Sequence, residues 1–191
     1  MLTTEPSPES RATGSGQANE RALLSQVADG DAAALEELYH RYHRRLARFL
    51  MRLTSRYDVA EEVINDTFYV IWDRARDFRG ASEVSTWIFG IAYRRALKTL
   101  RGSHPTTQLD AVENEPLGDP TQDIELSEWL GVALARLPVE QRVTLELAYH
   151  LGHSCEEIAT IMDCPPNTVK TRMFHARRKL RTLLSALAGS L

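Results

Sequence analysis

A segment near the C-terminus carries the residues best suited to bind a charged ligand. The chain has a formal net charge of −3, yet no acidic residue follows Asp163. Six basic side chains lie between residues 164 and 181: Lys170, Arg172, Arg177, Arg178, Lys179 and Arg181. Because the cationic groups of lysine and arginine bind phosphate, this segment predicts a polyanion-binding surface, with nucleic acid as the first candidate.

The residues around this segment predict a helix-turn-helix. Ser154 begins a capping box that Glu157 completes, which indicates a short helix, and a proline-containing turn over 163–166 separates it from the basic helix. At about 100° per residue, the apolar side chains of the basic helix fall on one stripe. They are Val169, Met173, Ala176, Leu180 and Leu183. The opposite face is therefore free to meet DNA.

The outward face of the basic helix divides into base-reading and phosphate-binding side chains. The N-terminal part of a recognition helix enters the major groove, so the candidates for base contact are Asn167, Lys170, Thr171, Phe174 and His175. Phe174 is the most informative, since a solvent-facing aromatic fits against a thymine methyl. The candidates for phosphate contact are Arg172, Arg177, Arg178, Lys179 and Arg181. A solvated surface helix is the alternative, but the turn, the capping box and Phe174 favour DNA binding.

Residues 19–101 predict a second group of helices. One apolar stripe contains Leu35, Leu38, Tyr42, Leu46, Phe49, Leu50 and Leu53. The next helix is expected to open at Asp58, with that side chain as its cap. Its inner face is Ala60, Val63, Ile64, Thr67, Phe68, Ile71 and Trp72, and its outer, acidic face is Glu61, Glu62, Asn65, Asp66 and Tyr69. A third helix over about 85–101 ends on Arg94, Arg95, Lys98 and Arg101.

These patterns predict an all-α fold of two small helical domains joined by a flexible acidic linker, the C-terminal domain being the helix-turn-helix. The expected divisions are a disordered leader over 1–18, a helical domain over 19–101, a linker over 102–124 and a helix-turn-helix domain over 125–188. The leader is rich in Ser, Pro and Gly and has almost nothing to bury. The linker is marked by the absence of Lys and Arg between Arg101 and Arg136.

Composition excludes several classes of protein. At 191 residues, 43% hydrophobic and 26% charged, the chain is typical of a globular protein. No apolar run approaches the ~20 residues of a membrane span, and no signal peptide begins it, so we expect a cytoplasmic protein. Two cysteines are too few for a disulfide framework. Metalloprotease, nucleophile-elbow and glycine-rich phosphate-loop motifs are missing, so we expect neither catalysis nor a cofactor.

Three segments together resemble one family. They are AEEVINDTFYVIW (60–72), FRGASEVSTWIFGIAYRRALKTLR (78–101) and LPVEQRVTLELAYHLGHSCEEIATIMDCPPNTVKTRMFHARRKLR (137–181). In type and order they are similar to segments of the extracytoplasmic-function sigma factors of bacterial RNA polymerase, and the similarity extends over about residues 20–184. A freestanding helix-turn-helix regulator matches only the last of the three segments.

The resemblance implies roles for individual residues. The acidic helix face would bind the clamp helices of the polymerase core through Glu61, Glu62, Asn65 and Asp66. The loop over 78–85 would capture a base flipped from the minus-ten element, and the next helix would guide the single strand. The implied minus-ten residues are Phe78, Arg79, Gly80, Ala81, Ser82, Trp87, Arg94 and Lys98. The implied minus-thirty-five residues are Asn167, Thr168, Lys170, Thr171, Arg172, Phe174, His175 and Arg178.

This chain departs from the common family pattern at several of these positions. Asn65-Asp66 stands where Gln-Glu is usual, Arg94 and Lys98 replace Asn and Asp, and Asn167 and His175 replace a glycine and a basic residue. The changes at Asn167 and His175 bear on which bases are read. Arg94 and Lys98 make their helix more basic, and polymerase binding is expected to survive the change at Asn65-Asp66. Trp87 and Phe89 are either stacking platforms for bases or core residues.

Two further expectations follow from the resemblance. The acidic linker residues Asp110, Glu113, Glu115, Asp119 and Asp123 would either imitate a nucleic-acid strand inside polymerase or keep a plain tether extended. An anti-sigma protein is an expected partner, besides polymerase core and promoter DNA.

Two other functions stay open at this stage. One is a freestanding helix-turn-helix regulator that binds duplex DNA without polymerase. The other is a metal-responsive sensor, in which His150, His153, Cys155 and Cys164 supply the ligands. Their spacing matches neither a zinc finger nor a zinc ribbon.

Overall fold

The computed structural model describes residues 8–102 and 124–188, and the side chains of residues 16–101 and 130–186. Every regular element in these ranges is helical, which confirms the all-α prediction. The N-terminal lobe contains α1 (Pro8–Ala28), α2 (Ala32–Thr54), α3 (Tyr57–Arg74) and α4 (Val84–Gly102), with a 3-10 turn over Ala75–Asp77. The C-terminal lobe contains α5 (Ile124–Ala135), α6 (Val139–Leu145), α7 (Cys155–Met162) and α8 (Pro166–Ala188), with a π-helical turn over Glu146–His150.

Helix α1 begins earlier than the sequence predicts. Residues 8–18, expected to be part of a disordered leader, form the first half of this helix. The second half packs Leu23, Leu24 and Val27 into the core, and Glu20 accepts a 2.7 Å hydrogen bond from the Tyr42 hydroxyl. Once a helix is nucleated by packing, each added residue costs little, which explains the extension toward the N-terminus. Residues 1–7 of the predicted leader lie outside the described residues.

Helix α2 is the centre of the N-terminal lobe. The Asp31 carboxylate caps it by accepting hydrogen bonds from the backbone of Ala33 and Ala34, at 2.9 and 3.3 Å. The helix ends at Ser55, which has a left-handed φ of 55°. The predicted stripe is confirmed, since all its members are buried except the half-buried Leu35.

Helix α3 corrects two predictions. It begins at Tyr57, and Asp58 lies in its first turn, where its side chain pairs with Arg56 and makes no cap. Trp72 is 41% exposed, whereas the rest of the predicted inner face is buried. The physical reason is position: Trp72 lies about 80° around the helix from Ile64, at the edge of the buried stripe.

The C-terminal lobe contains the predicted helix-turn-helix. Gly152 has a φ of 72° and separates the π-helical turn from α7. The capping box is confirmed: the Glu157 backbone donates to the Ser154 hydroxyl at 3.2 Å, and the Ser154 backbone donates to Glu157 at 2.8 Å. Pro138 is the residue just before α6. Ile158, Ala159 and Met162 form the buried side of α7.

The two lobes are in contact. Helix α4 packs against α7, and one apolar core continues from the N-terminal lobe to Leu147, Ile158 and Val169. The predicted linker lies almost entirely within residues 103–123, outside the described residues. Within 8–102 and 124–188, the helices lack the combination of length and apolar character that crossing a bilayer requires.

Candidate nucleic-acid and protein interfaces

The turn between α7 and α8 fixes the direction of the basic helix. Asp163 ends α7 in the left-handed conformation, with a φ of 51°. The Cys164 backbone donates to the Ala159 carbonyl at 3.0 Å, and the Thr168 backbone donates to the Pro165 carbonyl at 2.8 Å. Pro166 begins α8, where its missing N–H leaves no helical bond unmade. The turn therefore holds the start of α8 at a set angle to α7.

Buried residues fix the rotation of α8 about its own axis. Val169 and Ala176 are fully buried, and Met173, Leu180 and Leu183 are half-buried, as the predicted stripe requires. The opposite face is exposed. It presents Asn167, Lys170, Thr171, Phe174, His175 and Arg178. Thr168 and Arg172 are half-buried, and Arg172 donates to the Cys164 sulfur at 3.7 Å.

Phe174 stands at the centre of this exposed face. It is 61% exposed, its ring centroid lies 5.5 Å from that of His175, and the Arg178 guanidinium lies 5.9 Å from the Phe174 centroid. Arg177 is directed elsewhere, over the ring of Tyr149 at 5.5 Å. Sequence reasoning missed Tyr149, an exposed aromatic at the π-helical turn, because nothing in its local pattern sets it apart. The outward face of α8 thus combines an apolar ring with cations.

The acidic face of α3 is narrower than predicted. Glu62, Asn65 and Asp66 are exposed, and Asp66 lies 3.8 Å from the Arg95 guanidinium. Glu61 is half-buried, and its Oε2 lies 3.1 Å from the His43 ring, so it joins α3 to α2. Two aromatic side chains extend the same face beyond the acids: Tyr69, which was predicted outward, and Trp72, which was not.

The loop before α4 exposes most of its predicted residues. Arg79, Gly80 and Ala81 are exposed, and Ser82 is half-buried. Gly80 has a φ of 70°, a conformation that side chains disfavour. Phe78 is half-buried, and its ring centroid lies 5.4 Å from that of Trp87. Both rings are therefore close to the loop and remain partly accessible.

Helix α4 separates its core residues from its cations. Phe89 is fully buried and belongs to the core, which decides between the two predicted roles for this side chain. Trp87 is half-buried, so both of its predicted roles remain. Arg94 and Lys98 are exposed on the outer surface. The face that points to the C-terminal lobe carries Thr86, Phe89 and Tyr93, and burial raises the pKa of the Tyr93 hydroxyl.

Polar contacts between the lobes form what we call the interlobe seam. The Thr86 hydroxyl on α4 donates to Glu157 Oε1 at 2.9 Å, and the His153 ring packs edge-on against Phe89 with centroids 5.4 Å apart. Arg52 on α2 lies 4.0 Å from the buried carboxylate of Glu146. In the part of the chain that the structure describes, Glu146 Oε1 and His153 Nε2 are buried without hydrogen-bond partners.

Burial and neighbouring charges shift the pKa values of three groups at or near the seam. Burial lowers the pKa of His153, and nearby Glu157 only partly opposes this effect. Burial alone would raise the pKa of Glu157, but hydrogen bonds from the Ser154 backbone and the Thr86 hydroxyl outweigh it and hold that pKa below its ordinary value. Burial also lowers the pKa of Arg142, with a contribution from Arg52.

The residues considered as metal ligands are spread apart. The His150 ring lies 3.2 Å from Glu146, and His153 is buried against Phe89. Cys155 and Cys164 are half-buried at opposite ends of α7. Across the described ranges, no group of three or more His, Cys, Asp or Glu side chains is arranged to hold a metal ion.

Comparisons with known proteins point to one family. Residues 38–105 match the family model of sigma-70 region 2, and residues 127–180 match that of sigma-70 region 4. The ECF RNA polymerase sigma factor SigM of Mycobacterium tuberculosis is 36% identical over 182 residues, which cover 92% of this chain and 91% of that protein. The ECF RNA polymerase sigma-E factor of Haemophilus influenzae is 31% identical, with 90% of this chain and 98% of that protein covered.

Solved structures share the fold. CnrH in complex with the cytosolic domain of CnrY superposes with a TM-score of 0.67 at 23% identity, covering 88% of this chain and 98% of that one. The sigma factor RpoE of Bartonella quintana, in complex with the anti-sigma factor NepR, also gives 0.67, at 25% identity, covering 78% of this chain and 96% of that one.

Proposed function

Because the chain belongs to the sigma-70 family and is an RNA polymerase sigma factor of the extracytoplasmic-function group, we propose that its two lobes divide the recognition of a promoter between them. The C-terminal lobe reads the upstream duplex element. The N-terminal lobe binds the polymerase core and opens the downstream element.

The exposed Phe174 is the observation that carries this proposal. A large aromatic on a fixed, basic helix gains nothing from the fold, but it gains apolar contact when a thymine methyl covers it. Lys170, Thr171 and His175 reach base edges beside it, together with Asn167 and Thr168 at the start of the helix. Arg172 and Arg178 meet phosphates, and this part of the affinity falls with salt.

The exposed face of α3 is the proposed docking surface for the polymerase core. Glu62, Asn65 and Asp66 offer carboxylate and amide oxygens to the partner. Glu61 contributes from a half-buried position, where the His43 ring restricts its carboxylate. Exposed charges steer association more than they add to affinity, so docking through this face should weaken as salt rises.

The loop over 78–82 and the outer face of α4 form the proposed minus-ten surface. A flipped base needs a pocket with an apolar wall, which the Phe78 and Trp87 rings supply beside the loop. Arg94 and Lys98 then follow the strand backbone as cations. Arg79, Gly80, Ala81 and Ser82 complete the surface, and Gly80 supplies a backbone turn that an L side chain disfavours.

The lobes must separate for both surfaces to act together. Helices in contact lie about 8–10 Å apart, and α4 touches α7. Promoter elements near positions −10 and −35 are about 25 base pairs apart, or about 85 Å along the duplex at ~3.4 Å per base pair. We therefore propose that the interlobe seam opens when the chain binds polymerase.

Two double variants test the proposed division of roles between the two lobes. Phe174→Ala with His175→Ala should abolish run-off transcription from a promoter selected by the wild-type holoenzyme, while affinity for core polymerase stays unchanged. Glu62→Lys with Asp66→Lys should reduce affinity for the core first. Glu36→Lys with Glu37→Lys, which reverses exposed acids on α2, is the matched control. Equal effects of the first two pairs on core binding would refute the proposal.

Three further features complete the proposed function: where the chain acts, its part in the reaction and its inhibitor. The chain acts in the cytoplasm, where the polymerase is, and it contributes recognition while the polymerase performs the chemistry. An anti-sigma protein is its proposed inhibitor, since the similar RpoE of Bartonella quintana is held by one. Co-purification of such a protein from the native host, and its displacement by core polymerase, would test the last point.

A further inference from the structure

The 78–83 loop is attached to α1 at both of its ends. Before the loop, Arg76 Nε donates a 2.7 Å hydrogen bond to the Ala28 carbonyl at the last residue of α1. After the loop, Arg21 Nη2 donates to Glu83 Oε1 at 3.2 Å. The partners are 48 and 62 residues apart in the sequence. One helix therefore bridges the two ends of this loop.

Each of the two attachments pairs an arginine with a group that attracts a cation. The Ala28 carbonyl belongs to the last turn of α1, where helical partners are lacking and the helix dipole attracts a cation such as the Arg76 guanidinium. Glu83 Oε2 is buried and has no hydrogen-bond partner among the described residues. Removing Arg21 would leave the half-buried Glu83 carboxylate without its ion pair.

Helix α1 is a firm support for these contacts. Leu24 and Val27 are buried on the same helix, and the Glu20 carboxylate accepts the Tyr42 hydrogen bond from α2. Arg21 lies between these anchors, and Ala28 follows directly after Val27. A shift of the loop ends relative to the lobe would have to break contacts to a packed helix.

The loop itself has few contacts that would hold its shape. Arg79, Gly80 and Ala81 are exposed, and Gly80 adopts a conformation that glycine leaves readily. A segment of this kind samples many conformations unless its ends are fixed, and fixing them in advance lowers the cost of binding.

We propose that Arg21 and Arg76 are positioning residues for promoter opening: by fixing both ends of the 78–83 loop on α1, they preorganise it to receive the flipped base. This proposal rests on the minus-ten role proposed above for the loop. Neither arginine need touch DNA. They act through Glu83 and through the Ala28 carbonyl.

The test uses full-length chain assembled with bacterial core polymerase, on a duplex promoter selected from a randomised library by the wild-type holoenzyme. Opening is followed by 2-aminopurine fluorescence within the minus-ten element. The double variant Arg21→Gln with Arg76→Gln should open the promoter roughly tenfold more slowly, as expected for two lost hydrogen bonds to charged or helix-terminal groups. Its preference for the selected base over mismatches should fall at the captured position, while core binding is unchanged.

Arg74→Gln is the matched control. Arg74 belongs to the same basic segment, is exposed and lies 3.8 Å from its neighbour Asp73, and within the described residues it makes no hydrogen bond to α1. It should behave as wild type. Wild-type opening and base preference in the double variant would overturn the proposal.

A charge swap keeps the test decisive if the double variant folds poorly. Arg21→Glu alone should impair opening, and adding Glu83→Arg should restore both rate and base preference. Failure of the swap to restore either would count against positioning.

Phe78→Ala distinguishes failure of the proposed minus-ten role from failure of the proposed role of α1. If Phe78→Ala also leaves opening unchanged, the minus-ten role of the loop is wrong. If Phe78→Ala is defective while the arginine variants are not, only the role of α1 fails.

Discussion

The interior of the N-terminal lobe and the interlobe seam are both buried and share one apolar core, but the seam adds buried polar side chains to it. The interior is formed mainly by aliphatic and aromatic residues, among them Leu38, Leu46 and Phe49, all of which are buried. The seam places Thr86, His153 and Glu157 against each other, and some of its buried polar atoms have no partner in the described part of the chain.

This difference in side-chain chemistry distinguishes the interior of the lobe, which must remain folded, from the interlobe seam, which is proposed to open. Apolar burial stabilises by roughly 25 cal/mol per Å² and needs no particular geometry. A buried polar contact contributes little net free energy, because water replaces it once the surfaces part. The apolar packing of the lobe interior therefore favours a stable lobe, whereas the polar contacts at the seam lower the cost of the opening proposed above.

The largest expected effect comes from the lobe interior. Leu46→Ala removes a fully buried side chain from α2 and should lower the free energy of unfolding by about 2–5 kcal/mol, since a cavity remains. Urea denaturation followed by circular dichroism measures it. Leu100→Ala, at an exposed position on α4, is the control and should cost under ~1 kcal/mol. Similar losses in the two variants would mean that the lobe interior is not the stable part.

A second prediction concerns a substitution that makes the interlobe seam more apolar. His153→Phe replaces a buried imidazole whose Nε2 is unpartnered with an aromatic ring facing Phe89. The closed arrangement should gain about 1–2 kcal/mol, because a desolvation cost disappears and a ring pair remains. Affinity for core polymerase should then fall about five- to thirtyfold, if binding must open the seam.

Dyes attached at Glu36 on α2 and Thr182 on α8, both exposed, report the same change as a distance. The His153→Phe variant should show more energy transfer than wild type before polymerase is added. His40→Phe, at an exposed position on α2, should change neither reading. Tighter polymerase binding by His153→Phe would contradict the proposed role of the seam.

The third prediction concerns pH. His153 faces Glu157 on α7, Arg45 on α2 and the uncharged Phe89 on α4. Burial lowers its pKa in the closed state, whereas an open seam returns the imidazole to its ordinary pKa near 6.5. The open state then binds more protons, so the closed state is at full stability above about pH 6.5 and loses stability as the pH falls below it.

Energy transfer between the two dyes, recorded from about pH 8 to pH 5, checks this prediction. The lowered pKa of Glu157 keeps its carboxylate ionised over that window, so Glu157 does not produce the change. The signal should fall with pH in the wild type and stay flat in His153→Phe. An equal pH response in both would assign the titration to another group.

Local features of this fold were predictable from the sequence, and long-range ones were not. The Ser154–Glu157 capping box and the stripe through Leu46 were predicted correctly, because each depends on residues within a few turns. The exposure of Trp72 and the pairing of Glu61 with His43 were missed. Both depend on how neighbouring helices cover α3, which spacing alone does not reveal.

Because local spacing does not reveal long-range contacts, the sequence also left some surface contacts unpredicted. The sequence placed the cations and Phe174 on the outer face of α8, since helical geometry alone decides that. It did not indicate that α4 contacts α7, because Thr86 and Glu157 are 71 residues apart and each looks ordinary in its own segment. Nor did it indicate that α1 extends to Pro8 and holds the loop before α4.

The smallest expected effect comes from two buried threonines, each of which donates a hydrogen bond in one of the two regions. Thr67 donates to the Val63 carbonyl at 2.7 Å inside the N-terminal lobe, whereas Thr86 donates to Glu157 at 2.9 Å across the seam. Replacing either with Val keeps the shape and should cost about 1 kcal/mol. Thr67→Val should lower the unfolding free energy of the lobe and leave energy transfer between the dyes unchanged. Thr86→Val should lower energy transfer and tighten polymerase binding severalfold, because its lost bond held the lobes together. If both variants alter the same observable, the lobe interior and the seam form one cooperative unit, and opening cannot be separated from unfolding.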